Sequence, residues 1–134
     1  MRKVISCVAV ALSLAACSGM KQEPKPHVFF VEPADGATVS SPFTVKFGVA
    51  GMQVRPSGEP IPGTGHHHLL INLASQPTGE VIPSDEKHLH FGKGQTEAQV
   101  KLAPGEYTLT MQFADGLHKS YGPPMSQTIR VTVK

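Results

Sequence analysis

Cysteine is nearly missing from this chain of 134 residues, and its two copies, Cys7 and Cys17, both fall within the first seventeen positions. From Ser18 onward there is no thiol, which excludes a disulfide framework and any zinc site of the thiolate kind in the remainder. Tryptophan is absent, and the two tyrosines and six phenylalanines are not interleaved with basic residues. Without a Lys/Arg cluster to neutralise phosphates, nucleic acid is excluded as a partner. The longest apolar stretch, Val4 to Leu14, has eleven residues, against the roughly 20 a permanent membrane-spanning helix needs. Charge of either sign is scarce as well. The formal net charge of +2 includes Arg2 and Lys3; without them ten basic side chains face ten acidic ones, so nothing points to a charge-steered partner.

What is present begins with the amino terminus. Met1-Arg2-Lys3 forms a positive region, Val4 to Leu14 an apolar one, and Ala15-Ala16 supplies the small residues a peptidase needs before its cut. The run Leu14-Ala15-Ala16-Cys17 resembles the lipobox of bacterial lipoproteins. That resemblance implies a signal peptide over residues 1–16, cleavage before Cys17, and lipidation of Cys17, whose acyl chains anchor the protein to a membrane. Ser18, where an aspartate would signal otherwise, resembles lipoproteins sorted to an outer membrane, so the expected location is the cell envelope, facing the periplasm. Residues 17–26, polar and with Pro24 and Pro26, read as the lipidated cysteine and its tether.

Residues 27–134 form one domain. Forty per cent hydrophobic and sixteen per cent charged residues are a globular rather than a disordered balance. Twelve prolines and thirteen glycines predict many turns and few helices. Apolar residues recur with period two in runs separated by turn residues, the mark of half-buried strands. The predicted strands are residues 27–32, 43–49, 67–73, 87–91, 96–102, 106–114 and 127–133. With one face apolar and the other polar, they imply an all-β, immunoglobulin-like or fibronectin-like antiparallel β-sandwich of about seven strands. Tyr107 follows the Pro104-Gly105 turn, where such sandwiches often keep a tyrosine corner; a core tyrosine with no special hydrogen bond is the alternative. Residues 50 to 66, rich in Gly and Pro, read as a long loop.

Of the seven histidines, six fall at three places: His66-His67-His68, His88 with His90, and His118. On a strand, residues two apart project to one side about 6.5–7 Å apart, so His66 and His68 share a face and His67 lies with Leu69 and Ile71. His88 and His90 repeat that spacing. Two such pairs offer four ring nitrogens, a set suited to Zn²⁺ or Cu²⁺. The candidate metal ligands are therefore His66, His68, His88 and His90, with His67, His118 and Met125 as further candidates. Asp85, Glu86, Glu97 and Asp115 are candidate oxygen ligands or acceptors for a ring N–H. Histidines in such positions also hold turns and bind loop carbonyls, so a polar network without metal stays open. His118 with Asp115 and nearby Ser120 and Ser126 has the residue types of a catalytic triad, but no nucleophile elbow surrounds either serine, and no enzyme is expected.

Gly65-His66-His67-His68-Leu69-Leu70-Ile71-Asn72, His90-Phe91-Gly92-Lys93-Gly94-Gln95-Thr96, Leu102-Ala103-Pro104-Gly105 and Pro123-Pro124-Met125-Ser126 occur in this order. Together they resemble the bacterial domain-of-unknown-function family 4399, whose members carry a His-His-His-Leu-Leu motif, over roughly Gly36 to Lys134. The resemblance implies an exported setting and no established activity. His66, His67, His68, His90 and His118 match the family pattern; Tyr107 and Tyr121 stand where histidines often occur. Two function classes follow. One is a periplasmic lipoprotein that binds a copper or zinc ion through its histidines. The other is a metal-free interaction module whose histidine edge and Gly/Pro loop contact an envelope protein or glycan.

Overall fold

A computed structural model describes Cys17 and residues 19–134; the predicted signal, residues 1–16, lies outside the described residues. Cys17 is exposed, and residues 19–26 carry no regular structure. Among the described residues no helix is long and apolar enough to cross a membrane.

Alternating runs fold as the period-two pattern dictates. The strands are β1 (His27–Glu32), β2 (Ala37–Val39), β3 (Phe43–Ala50), β4 (Gln53–Val54), β5 (Thr64–Ile71), β6 (His88–His90), β7 (Glu97–Val100), β8 (Gly105–Ala114) and β9 (Ser126–Val133), with one 3-10 turn at Pro123–Met125. They form two sheets, a three-stranded one in the order β1-β3-β7 and a six-stranded one in the order β2-β9-β8-β5-β4, with β6 also on β5. Val28, Phe43, Val45, Phe47 and Val100 from the first sheet meet Leu69, Ile71, Leu109, Met111, Phe113, Ile129, Val131 and Val133 from the second. This all-β sandwich is the expected architecture.

The departures have local causes. Two short strands escape the pattern: β2 and β4 pair in parallel with β9 and β5 over three and two residues, too few to show alternation. The run expected over 67–73 starts at Thr64 and ends at Ile71. It ends early because Asn72 turns left-handed, with φ 55, and its side-chain oxygen accepts the Thr108 N–H at 2.9 Å. It starts early because β4 supplies a partner, and Gly65 fits only for want of a side chain: a Cβ there would overlap the Ala114 carbonyl and the Phe113 ring. The tyrosine corner is present, the Tyr107 hydroxyl donating to the Ala103 carbonyl at 2.8 Å.

The outer face of the larger sheet is also not uniformly wet. Thr110 and Gln112, outward partners on β8, are fully buried, and every residue of β5 is buried. The connections 72–87 and 115–125 fold over this face and are tied to it by side chains. Gln112 accepts the Gln76 N–H and donates to the carbonyls of Gly122 and Met125. The Ser120 hydroxyl donates to the Gln76 carbonyl. Under this cover the sheet has a second interior, and that interior holds His66 and His68.

Candidate metal centre

Strand β5 is buried on both sides, so its alternation sorts the triplet into two environments. His67 points with Leu69 and Ile71 into the apolar core, stacked on Phe47 and edge-on to Phe113, both at 5.0 Å between ring centroids. His66 and His68 point the other way with Leu70. All three imidazoles are shut off from solvent, at 0, 0 and 1 % exposure.

Two pairing registers bring further histidines to His66 and His68. Antiparallel pairing of β5 with β6 sets His90 opposite His68. Pairing of β5 with β8 sets Ala114 opposite His66, so the turn that follows Ala114 delivers His118. His118 adopts φ 65, a conformation rare outside glycine. The Asp115 carboxylate holds it there by accepting the N–H groups of Leu117 and Lys119 at 2.8 and 2.9 Å, while the His118 N–H donates to the Asp115 carbonyl at 3.0 Å.

The result is a four-imidazole cluster: one ring nitrogen each from His66, His68, His90 and His118, all within 4.8 Å of one another. The His66 Nε2 lies 3.0 Å from the His68 Nε2 and 3.1 Å from the His118 Nδ1. A ring nitrogen has a single in-plane direction, either an N–H or a lone pair, so His66 Nε2 cannot serve both neighbours with good hydrogen bonds. The His90 Nε2 is buried and has no partner at all. Lone pairs gathered on one point with too few protons between them are what a cation satisfies.

Close approach by glycine closes the site. A Cβ at Gly92 would overlap the His90 ring, and one at Gly116 would overlap the backbone at Gly58 and Glu59. The loop joining β4 to β5 lies across this side: the Ser57 N–H donates to the Gly92 carbonyl at 2.8 Å and the Gly58 N–H to the Gly116 carbonyl at 2.9 Å. His90 and His118 remain half-buried and form the open edge.

Burial dominates the electrostatics. It lowers His66 to about 4, with repulsion from His118 and His90 adding to it and Asp115 opposing. His67 falls to about 4 through burial and then His66. His68 falls to about 2 through burial and then the charges of His66, His90, His118 and His67. His90 is lowered by burial and by His118. At neutral pH His66, His68 and His90 are therefore neutral, the form that ligates a metal.

The histidines that the structure brings together are not quite those of the ligand set expected from the triplet and the His88/His90 pair. His66, His68 and His90 come together and His118 takes the fourth place. His88 does not join them, although it shares their face, because it sits one strand repeat further on, opposite Leu70. There its Nδ1 lies 2.8 Å from the Asp85 carboxylate and its Nε2 3.3 Å from the Gln76 amide. That contact with His88 is also the first cause holding the exposed Asp85 carboxyl below its usual range. His67 faces the opposite side of the sheet, and both its ring nitrogens lack a partner. Met125 is part of the apolar core, 5 % exposed, because the 3-10 turn folds it inward. Of the acidic candidates, Asp115 is committed to its turn. Glu97 stands on β7 of the other sheet, and Glu86 is exposed. The part that alternation misses is His118, whose signal is Asp115-Gly116, a turn pair directly after a strand that must pair with the triplet.

No curated protein and no solved structure matches this chain. Residues 45–134 match the family described as Domain of unknown function (DUF4399), and the chain belongs to that family.

Proposed function

We propose that this protein is a lipid-anchored component of the bacterial cell envelope that binds a single copper or zinc ion through His66, His68, His90 and His118, in a handling rather than a catalytic role. The observation that carries the reading is the convergence of four imidazole nitrogens, two of them on fully buried residues, on one point, with a 3.0 and a 3.1 Å contact sharing the His66 Nε2. Four histidines supply a ligand set that zinc and copper both accept, and the neutral rings of His66, His68 and His90 need shed no proton to bind. The anchor rests on Leu14-Ala15-Ala16-Cys17, and the outer-membrane, periplasm-facing location on Ser18.

The test is calorimetric titration of the full chain, purified in detergent, with Zn²⁺ and with Cu²⁺, beside a variant carrying His66→Ala and His68→Ala. Micromolar or tighter binding at one ion per chain, lost in the variant, is expected. Heats equal to dilution for both ions, with the protein folded by circular dichroism, refute the reading.

A further inference from the structure

Resting on the metal reading above, the arrangement of the four rings says which ion the site is shaped for. The six centroid separations among His66, His68, His90 and His118 are 4.7, 5.1, 5.0, 5.1, 5.9 and 4.7 Å. Four points in one plane cannot have all separations within a factor of about 1.4, the ratio of a square's diagonal to its edge, which a square-planar Cu²⁺ site approaches. Here the longest separation, 5.9 Å, and the shortest, 4.7 Å, stay well inside that factor. The rings stand at the corners of a tetrahedron.

The size of the tetrahedron also agrees. A metal–nitrogen bond of about 2.0–2.1 Å plus roughly 1.1 Å from nitrogen to ring centre puts each centroid about 3.2 Å from the ion, hence about 5.2 Å from the next. A square-planar site of the same bond length would give about 4.5 Å between neighbours and about 6.4 Å across. The observed values spread from 4.7 to 5.9 Å about the first figure, and the pair opposite the longest one, His66–His90, is 5.1 Å apart where a square's second diagonal would be long as well. Cu⁺ also accepts four-coordinate geometry but prefers sulfur. Met111 and Met125 face the apolar core, Met52 packs against that core, and Met20 lies exposed before β1.

We infer that the centre is a closed, four-coordinate, all-nitrogen Zn²⁺ site, saturated by His66, His68, His90 and His118. With four protein ligands no coordination position is left for a water or substrate, so the ion is held rather than used for hydrolysis.

Co²⁺ reports the geometry directly, because its four-coordinate complexes absorb visible light intensely and its six-coordinate ones weakly. The full chain loaded with one equivalent of Co²⁺ is expected to show the intense bands, and one equivalent of Zn²⁺ is expected to abolish them. Substituting His90→Ala should remove the bands and weaken Zn²⁺ binding by more than about 100-fold, beyond what loss of an outer-shell partner costs. The variant His88→Ala should keep both, and circular dichroism of the metal-free variants checks their folding. A weak six-coordinate spectrum with binding intact overturns the tetrahedral assignment while metal binding stands. Intense bands that survive His90→Ala overturn the ligand set. Absence of any binding removes both this inference and the reading beneath it.

Discussion

Lowering the pH from 7 to 5 should destabilise the metal-free protein severely. In the unfolded chain each imidazole takes up a proton near its ordinary value of 6.5. In the folded chain His66 and His67 stay neutral down to about 4 and His68 to about 2. Between these limits the unfolded state binds more protons, so stability is full above about 6.5 and falls as the pH drops toward 4. For each imidazole the loss between pH 7 and 5 is about 2 kcal/mol, a figure set almost wholly by protonation of the unfolded chain. Three of them lose on the order of 5 kcal/mol, comparable to the whole stability of many domains, about 5–15 kcal/mol. Urea unfolding in the presence of a chelator at pH 7, 6 and 5 should show the midpoint falling with an unchanged slope. Saturating Zn²⁺ should restore part of it, since an ion that binds only the folded state stabilises by mass action. A midpoint that is flat across this range without metal would mean that these imidazoles are not buried in the neutral form.

Three further outcomes are expected. The substitution His67→Phe removes two unpartnered ring nitrogens from an apolar core, so it should leave stability at pH 7 unchanged or raise it by about 1 kcal/mol. It should also remove about a third of the acid sensitivity and spare Zn²⁺ affinity; lost affinity in titration would place His67 in the centre. Gly92→Ala puts a methyl group against the His90 ring. Zn²⁺ binding should weaken by about 10- to 100-fold with little change in thermal unfolding, as for other residues that orient a ligand. Cys17→Ala should leave a protein with an intact leader and no acyl chains by mass spectrometry of the membrane fraction; normal cleavage and acylation would refute the lipobox reading.

Much of the fold was legible because it is local. β1 begins and ends where alternation places it, and the core faces of β3, β8 and β9 are the apolar ones the period predicts. What alternation hides are features with no period. The strands β2 and β4 are too short to show one. Thr110 and Gln112 look solvent-facing because the connections that bury them are irregular and fixed by single bonds such as Gln76 to Gln112. The site divides the same way. That His66 and His68 share a face opposite His67 follows from strand geometry, and so does the approach of His90. His118 required the register of β8 against β5, which sets Ala114 opposite His66; the Asp115-Gly116 pair announces a turn there, but not that the turn brings His118 to a residue 52 positions away. His88 was misplaced by one strand repeat, because spacing gives a face and not a position along it.

The lone pairs of this centre come from three stretches of chain that meet only when β6 and β8 have both docked on β5. An extended chain offers the His66-His67-His68 triplet alone, with none of the geometry that gathers four rings. The proposed affinity for an ion would therefore be acquired at the end of folding, and the ion would be captured wherever folding is completed. On the proposed export route and the proposed metal reading, a chain that folds only after crossing a membrane would draw its ion from the far side, and occupancy would report the supply in that compartment and not in the one where the chain was made.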